Sequence, residues 1–391
     1  MRHRVLIVNH TAVMGGAEVG LAEWIRFLDR DRICPVVAAP AAGPLNARLR
    51  SGGDRVFDQP LIRVQRTWNP LRLTAMGAQG LRQVAALRRL AEQEDIRVLH
   101  ANSNKANLIA APAAQLAGLP CIWHVRDLVP LGRIGRWLYR RSTVIVAVSK
   151  SVADHIQQYR NGRDRVRVIV NGIDVMRFTE NAAARAAARR SFFPCIEDDI
   201  MLIGMTGNLA PWKRHALFLD IAEKLVREKD DNFRFVIVGD DRFGDHPEYE
   251  RSLRRRICEG PLKGRALLAG YREDMPDVMR ALDILVHPAD REPFGRVMVE
   301  AMAAAKPVVA VNAGGAREIV VDGVTGYLTM PNDVAGMADA VRSLAGDTAL
   351  RRQLGEAGRQ RAVRDFDVRR VGVLMTDLYE ELACESRHYR H

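Results

Sequence analysis

Short apolar runs alternate with longer amphipathic segments along the whole chain. The runs are typical of strands buried on both faces, and segments with apolar positions three and four apart are typical of helices. In the first half the pattern predicts strands over residues 4–8, 34–39, 98–101, 121–125, 143–148 and 166–170. Between them it predicts helices over residues 17–28, 44–51, 73–93, 105–116 and 150–159.

The second half repeats this alternation. Strands are predicted over residues 200–205, 233–238, 266–269, 284–287 and 307–311, and helices over 181–190, 214–227, 246–258 and 368–384. Strands that alternate with helices favour parallel sheets covered by helices, and 391 residues are enough for two domains. We therefore predict an α/β protein with two doubly wound, Rossmann-like domains.

The composition adds little to this picture. Hydrophobic residues make up 48% of the chain and charged residues 27%, as in ordinary globular proteins. The five cysteines are scattered singly, which argues against a disulfide framework or a zinc site and suits a reducing cytosol. The N-terminal apolar run is too short for a signal peptide, and the most apolar long window, 108–125, is interrupted by prolines, so no membrane span is expected.

Charge is distributed unevenly. Residues 1–175 contain 26 Lys and Arg against 13 Asp and Glu, whereas the rest of the chain is nearly balanced. A domain with this excess of positive charge is expected to be attracted to an anionic surface, such as phospholipid, nucleic acid or an acidic substrate. The alternative is an Arg-rich composition without function, since only seven of the 59 basic residues are Lys. A nucleic-acid protein is the least favoured class, because the basic half lacks aromatic stacking motifs and any known module.

The most informative stretch is residues 290–304, D-R-E-P-F-G-R-V-M-V-E-A-M-A-A, which follows a predicted strand and begins a helix. A tight loop at a helix N-terminus offers backbone N–H groups to an anion. Glu292 precedes the turn, and Glu300 lies about one turn inside the helix, within reach of a sugar or ribose. The backbone donors are expected at Phe294, Gly295, Arg296 and Val297.

This Glu–seven residues–Glu spacing resembles the signature of the retaining GT-B glycosyltransferases of family 4. G-Y-R-E-D-M precedes it, and A-K-P-V-V-A and A-G-G-A-R-E-I-V-V-D-G-V-T-G-Y follow, so the resemblance extends over residues 200–327. It implies a GT-B fold: two Rossmann-like domains facing across a cleft, with a C-terminal helix that crosses back to the first domain. The implied domains are an acceptor-side domain (1–175), a nucleotide-sugar-binding domain (176–366) and the returning helix (367–391).

The resemblance also implies roles for residues. Glu292 corresponds to the Glu that binds donor sugar hydroxyls and Glu300 to the Glu that binds the ribose. Lys213 matches a Lys that contacts the donor diphosphate, but Asn208 stands where the family has Arg and supplies no charge. Arg214 or Arg296 is expected to compensate. The implied donor-binding set is Gly16, Asn208, Lys213, Tyr271, Arg272, Glu292, Phe294, Gly295, Arg296, Val297 and Glu300.

Further candidates follow strands of the first half. His124 ends a strand where the family places a His that faces the donor sugar; the alternative is a hydrogen-bonded core histidine. With Lys213 and Glu292, His124 forms the predicted catalytic set. The glycine pair of M-G-G-A-E opens the first helix, where the positive helix end favours phosphate, although it is equally suited to a simple turn. The acceptor-side candidates are Gly15, Lys105, Arg126 and Asp127.

The resemblance implies transfer of a hexose-type sugar from a nucleotide-diphosphate sugar to an acceptor hydroxyl, with retention at the anomeric carbon. No cofactor is expected beyond the nucleotide sugar itself, and no metal, because Lys213, Arg296 and backbone N–H groups are expected to meet the phosphate charge. The alternatives are a sugar-nucleotide epimerase on the same scaffold, or a catalytically idle binding protein, which the departure at Asn208 mildly favours.

Two basic and aromatic segments raise a membrane hypothesis. Residues 133–141, R-I-G-R-W-L-Y-R-R, fit an interfacial helix through Trp137, Leu138 and Tyr139, and Arg63, Arg66, Trp68 and Arg72 form a second cluster. The alternative is a solvated Arg-rich face. If these segments bind a membrane, the expected acceptor is a lipid-linked glycan or glycolipid used in cell-envelope synthesis. The protein is then expected to be cytoplasmic and peripheral on the inner face of the cytoplasmic membrane.

Overall fold

Parallel strands with helices between them form both halves of the chain. The computed structural model describes residues 2–41, 43–59, 69–160, 162, 164–227, 232–242 and 244–385. The chain divides into unit 1, which is Met1–Gly172 with Val368–His391, and unit 2, which is Ile173–Asp367. The predicted domain boundary at residue 175 lies three residues after the first segment of unit 1 ends, and the predicted boundary at residue 366 lies one residue before unit 2 ends.

Among its described residues, unit 1 forms a seven-stranded parallel sheet in the order β3-β2-β1-β4-β5-β6-β7. The strands are β1 His3–Val8, β2 Ile33–Ala39, β3 Arg55–Asp58, β4 Val98–Ala101, β5 Cys121–Val125, β6 Val144–Ala147 and β7 Val166–Val168. The helices are α1 Gly16–Trp24, α2 Pro44–Ser51, α3 Pro70–Gln93, α4 Asn104–Ala117, α5 Gly132–Arg141 and α6 Lys150–Gln157.

The described residues of unit 2 form a six-stranded parallel sheet in the order β10-β9-β8-β11-β12-β13. Its strands are β8 Met201–Thr206, β9 Phe233–Val238, β10 Ala266–Leu268, β11 Ile284–His287, β12 Val308–Val311 and β13 Gly326–Thr329. Its helices are α7 Ala182–Phe192, α8 His215–Arg227, α9 Pro247–Glu259, α10 Met275–Ala281, α11 Arg296–Ala303, α12 Ala316–Ile319, α13 Val334–Gly346 and α14 Thr348–Asp365.

The apolar runs form strands because both faces of each sheet are covered. On β1, Val5 and Ile7 pack into one buried cluster, and Leu6 and Val8 pack into another on the opposite face. A strand buried on both faces has no polar alternation, which is why its sequence is continuously apolar.

The strand order reverses beside β1 in unit 1 and beside β8 in unit 2. In open α/β sheets, ligands bind at the carboxyl ends of the strands where the order reverses. A ligand site is therefore expected in the loops that follow β1 and β4, and in those that follow β8 and β11.

The last helix, α15 (Val368–Glu385), belongs to unit 1, as predicted. Its apolar face, with Met375, Leu378 and Tyr379, joins the buried cluster beneath β1. Gly372 allows close packing, since a Cβ there would lie 2.4 Å from the backbone oxygen of Phe27.

The edge strands β3 and β13 were not predicted. They are four residues long, and β3 has an exposed residue at each end with half-buried residues between. Such strands lack the strong apolar run of a central strand, so only their pairing partners reveal them. No helix in the described part of the chain is long and apolar enough to cross a bilayer.

Candidate functional site

The loop after β11 leads into α11 through Gly295, at a position where the backbone conformation requires glycine. Gly295 caps α11 with φ of 103° and ψ of 57°. A Cβ at this position would also lie 2.2 Å from Met298 Cε. Residues other than glycine rarely adopt this conformation, so the sharp entry into the helix depends on Gly295. In the first turn of α11 the Met298 N–H donates to the Gly295 carbonyl oxygen at 3.0 Å, and the N–H groups at the start of a helix are directed toward the preceding loop because no earlier turn supplies carbonyl groups.

Glu292 lies in this loop between two basic groups. Its Oε2 is 2.5 Å from Lys213 Nζ and 3.2 Å from His287 Nε2. All three side chains are largely buried. Burial by itself would raise the pKa of Glu292, but the Lys213 ammonium and His287 outweigh it and lower the pKa to about 2. Glu292 is therefore ionised at neutral pH.

The A-G-G turn after β12, residues 313–315, packs against the backbone of the Glu292 loop. The Gly315 N–H donates to the Glu292 carbonyl oxygen at 2.8 Å. A Cβ at Gly314 would lie 2.5 Å from that same oxygen, and one at Gly315 would lie 2.2 Å from the carbonyl oxygen of Phe294. Both glycines thus permit a close approach of two backbones, which positions the carboxylate.

Lys213 comes from the loop after β8, at the end of a 3-10 turn, Pro211–Lys213. The strands β8 and β11 are neighbours in the sheet, so the Lys213 and Glu292 loops meet where the strand order reverses. Asn208 lies in the same loop, and its Oδ1 atom is buried without a hydrogen-bond partner among the described residues. Arg214 Nη2 lies 3.0 Å from Asp290 Oδ2, so an acidic neighbour already engages this candidate for the missing charge.

Arg296 and Glu300 form a second pair on α11. Arg296 Nη2 lies 3.5 Å from Glu300 Oε1, and both side chains are largely buried. Val297 follows Arg296 in the first turn, and Phe294 is buried against Phe366 with ring centroids 5.9 Å apart. The helix entry therefore offers one carboxylate and one guanidinium beside the backbone N–H groups.

The residues after β10 behave differently from one another. The Arg272 guanidinium is held by Asp274 through bonds of 2.7 and 2.5 Å. Tyr271 is 43% exposed, and the Arg242 guanidinium carbon lies 3.3 Å from its ring centroid. The exposed ring is thus the more accessible of the two predicted residues, and Arg242 was not predicted at all.

In unit 1, the glycine loop begins α1. Gly15 is its N-cap residue and Gly16 its first residue, and the Gly15 N–H donates to Glu18 Oε2 at 3.2 Å. Asn9 Nδ2 donates to the other Glu18 oxygen, also at 3.2 Å. Burial raises the pKa of Glu18. Glu18 is therefore a buried capping residue that orders the loop after β1.

His124, the last residue but one of β5, lies in a buried polar cluster. Its Nδ1 lies 3.1 Å from His100 Nε2 and 3.3 Å from Arg126 Nη2. Burial, followed by the charge of Arg126, lowers the pKa of His124 well below its usual value, so the ring is neutral at neutral pH. Its Nε2 atom is buried without a hydrogen-bond partner among the described residues.

Arg126 connects His124 to the loop after β1. Its Nε donates to Asn102 Oδ1 at 3.0 Å, and its Nη1 donates to Asn171 Oδ1 at 3.2 Å. Asn102 Nδ2 in turn donates to Asn9 Oδ1 at 2.7 Å. The network thus runs from Glu18 at the glycine loop to His124, across the point where the strand order reverses.

The other acceptor-side candidates lie near α4. Asp127 Oδ1 accepts hydrogen bonds from Asn104 Nδ2 at 2.7 Å and from the Val129 N–H at 3.1 Å. Burial raises the pKa of Asp127. Lys105 is exposed in the first turn of α4. Within the described ranges, His, Cys, Asp and Glu form no group of three suited to a metal ion.

The interfacial-helix prediction needs one correction. The segment forms α5, but Leu138 and Tyr139 are fully buried and cannot face a membrane. They pack into unit 1 together with the buried Gly135, which precedes them by three and four residues and therefore lies on the same face of the helix. The exposed face carries Arg133 and Arg136, with Ile134 52% exposed. In the second basic cluster, Arg63, Arg66 and Trp68 lie outside the described residues.

The structure thus gathers the predicted residues into two groups. Unit 2 holds Lys213 and Glu292 in direct contact, with Asn208, Phe294, Gly295, Arg296, Val297 and Glu300 on the same loops or on α11. Unit 1 joins His124 to Arg126 and orders the Gly15 loop through Asn9 and Asn102. His287, His100 and Tyr379 were not predicted, since a histidine or tyrosine in a core segment gives no signal until its neighbours are known.

Two parallel-sheet, Rossmann-like α/β units are the components of a GT-B fold, and solved structures share this fold. HepE of Anabaena in complex with UDP-glucose matches with a TM-score of 0.82 and 26% identity, covering 98% of this chain and 99% of that one. The family model "Glycosyl transferases group 1" matches residues 192–361, and "Glycosyltransferase Family 4" matches residues 14–177. The chain therefore belongs to the GT-B glycosyltransferases of family 4.

Relatives of known sequence are also named as enzymes that transfer sugars. A glycogen synthase of Mycobacterium tuberculosis is 32% identical over 248 residues, which are 62% of this chain and 55% of that protein. The UDP-Gal:alpha-D-GlcNAc-diphosphoundecaprenol alpha-1,3-galactosyltransferase of Escherichia coli is 24% identical over 323 residues, 78% of this chain and 81% of that protein. The chain thus spans about half the length of the first relative.

Proposed function

We propose that this protein is a retaining glycosyltransferase that moves a hexose-type sugar from a nucleotide-diphosphate sugar to an acceptor hydroxyl. The observation that carries the proposal is the contact of Lys213 with Glu292 beside the N-terminus of α11. One ammonium, one ionised carboxylate and a helix N-terminus supply the groups needed to bind a diphosphate and the hydroxyls of the sugar joined to it.

In this proposal Lys213 and the first turn of α11 bind the diphosphate. A phosphate that binds beside Lys213 contacts the same ammonium as the Glu292 carboxylate. That carboxylate also accepts hydrogen bonds from sugar hydroxyls. Glu300 accepts hydrogen bonds from the ribose, and Tyr271 lies beside the base. Stabilisation of negative charge on the departing diphosphate is the main catalytic contribution.

Asn208 leaves this phosphate site with one cation fewer than the family pattern. Arg214 is engaged by Asp290 and Arg296 lies beside Glu300. Of these two, Arg296 is the better candidate for the diphosphate, because it occupies the first turn of α11. We expect neutralisation by Lys213, Arg296 and backbone N–H groups, without a metal or another cofactor.

Retention follows if the departing phosphate takes the acceptor proton on the same face of the sugar. The bond from the anomeric carbon to the diphosphate breaks as the bond to the acceptor oxygen forms, through an oxocarbenium-like state. His124 is neutral and serves near the sugar, while Arg126, Asp127, Lys105 and the Gly15 loop serve the acceptor side. Positioning then accounts for the remaining rate enhancement.

The relatives support a nucleotide sugar as donor and a glycan as acceptor. HepE of Anabaena was solved with UDP-glucose, and the Escherichia coli relative is named for a diphosphoundecaprenol acceptor. Transfer to a lipid-linked glycan at the inner face of the cytoplasmic membrane agrees with the exposed arginines of α5.

The proposed function is tested first by binding and then by product stereochemistry. A panel of nucleotide sugars is screened for a rise in Tm, and the stabilising donor is incubated with glycan and lipid-linked acceptors. Early product should carry the anomeric configuration of the donor by NMR. Inversion would overturn retention, proton exchange at the sugar C2 would indicate an epimerase, and binding without turnover would indicate a binding protein.

A further inference from the structure

A buried row of three side chains links the last helix to His124. The Tyr379 hydroxyl on α15 lies 2.5 Å from His100 Nδ1, and His100 Nε2 lies 3.1 Å from His124 Nδ1. Tyr379, His100 and His124 are at most 1% exposed. The imidazole of His100 is stacked between Trp24 and His124, at centroid distances of 5.9 and 5.2 Å. Neither histidine can therefore turn its ring freely.

The partners determine which nitrogen of each ring carries the proton. Arg126 contacts His124 Nδ1 at 3.3 Å, and a guanidinium has only donors, so this nitrogen accepts. A neutral His124 then carries its hydrogen on Nε2. Because His124 Nδ1 accepts, His100 Nε2 donates to it, and His100 Nδ1 accepts from the hydroxyl of Tyr379.

The electrostatics agree with this assignment. Burial, followed by the charge of Arg126, lowers the pKa of His100 to about 3. Burial raises the pKa of Tyr379 well above its usual value, so the hydroxyl keeps its proton. Both groups are therefore neutral at neutral pH, which agrees with a Tyr379 hydroxyl that donates to the lone pair of His100 Nδ1.

We propose that His100 and Tyr379 are positioning residues that hold His124 as the neutral tautomer with its hydrogen on Nε2. His124 then presents a hydrogen-bond donor to a substrate oxygen and is not the base that takes the acceptor proton. Its buried Nε2, which has no partner among the described residues, is the atom left for that oxygen. This inference rests on the proposed function only in assigning the oxygen to the sugar nucleotide.

Helix α15 thus positions His124 in addition to packing against the sheet. Tyr379 is 279 residues from His100 in the chain, and α15 brings its hydroxyl against the end of β4. A phenylalanine would fill the same space and leave His100 Nδ1 without a donor. His100 could then carry its hydrogen on Nδ1 and direct a lone pair at His124.

The experiment observes the tautomers directly in the full-length protein labelled with ¹⁵N-histidine. Two-bond ¹H–¹⁵N spectra distinguish the two neutral tautomers, and a His124→Gln variant identifies the signals of that ring. The wild type should show His124 protonated on Nε2. In Tyr379→Phe the His124 signals should shift toward a mixture of tautomers, and kcat should fall roughly tenfold with the donor KM little changed.

Matched variants separate tautomer control from packing. Tyr139→Phe removes another fully buried hydroxyl of unit 1 and should leave both His124 signals and kcat unchanged. His100→Gln retains an amide N–H for His124 and should preserve its signals better than His100→Leu. Tm measurements identify any variant that loses its fold.

Two results would overturn the proposal: a wild-type His124 protonated on Nδ1, or His124 signals that stay the same in Tyr379→Phe and in His100→Leu while both remain folded. The spectra need no turnover. A protein that shows the expected tautomers but transfers no sugar would refute the proposed function and leave this assignment of protons in place.

Discussion

Lys213 and Glu292 are 79 residues apart in the chain, yet their charged atoms lie 2.5 Å apart. They meet because β8 and β11 are neighbours and the loops after parallel strands emerge at the same edge of the sheet. The contact keeps Glu292 ionised although it is buried, and it holds the ammonium beside the N-terminus of α11.

Lys213→Ala should lower kcat by about 10²-fold or more, because the charge on the departing diphosphate loses its ammonium. The same change leaves Glu292 buried without its main partner, so its pKa should rise and the protein should lose about 3–5 kcal/mol of stability. Initial rates and urea unfolding measure the two effects. Lys263→Ala, an exposed lysine of the same unit, is the control. Wild-type turnover in folded Lys213→Ala would count against the proposed mechanism.

Asn208→Arg should strengthen donor binding. The Asn208 side chain lies in the Lys213 loop with a buried oxygen that has no partner among the described residues, and an arginine there restores the charge of the family pattern. One added charge-assisted hydrogen bond corresponds to roughly tenfold tighter binding of the nucleotide diphosphate. Calorimetry with the diphosphate measures the change, and Asn208→Ala is the control. Equal affinity in all three proteins would show that the diphosphate does not reach this loop.

Stability should fall as the pH drops below about 6.5. The pKa values of His100 and His215 are both lowered to about 3, mainly by burial, from an ordinary 6.5. Below 6.5 the unfolded chain binds protons that the folded protein does not, so the stability present above 6.5 is lost toward pH 3, at up to about 1.4 kcal/mol per pH unit for each group.

Urea unfolding between pH 7.5 and pH 5 measures this loss. That range lies above the window of Glu292, whose stabilisation is lost only as the pH falls from about 4.5 toward 2. Glu18 and Asp127 act in the opposite direction: because burial raises their pKa values, their contribution to the free energy of unfolding increases as the pH falls. His215→Asn should flatten the pH dependence. A midpoint that does not change with pH would mean that these histidines are not buried as neutral rings.

The α5 face should bind anionic vesicles at low salt and release them at high salt. Arg133→Glu with Arg136→Glu reverses two exposed charges and should weaken sedimentation with acidic lipid by at least about tenfold. Arg251→Glu with Arg255→Glu makes the same change of charge on α9 and should have a smaller effect. Equal losses in both variants would indicate a general charge effect, and no binding by the wild type would end the membrane hypothesis.

Much of the fold was predictable because it depends on local pattern. Central strands such as β5 and β11 begin and end at the predicted residues, and α2 does too. The edge strands β3 and β13 were missed, since a short, half-buried strand has no periodicity of its own. The sequence predicts that Leu138 and Tyr139 belong to an interfacial helix, whereas both are fully buried, because a short basic segment does not show which side packs against the core.

The sequence by itself determined the alternation of strands and helices, the two α/β units, the glycine at the entry to α11 and the acids around it. Each depends on residues close together in the chain, where periodicity and backbone preference act. Tertiary structure alone decided that Glu292 meets Lys213 and His287, and that Tyr379 reaches His124 through His100. Those contacts depend on strand order and on the return of α15, and no local pattern encodes which distant side chains will share a buried space.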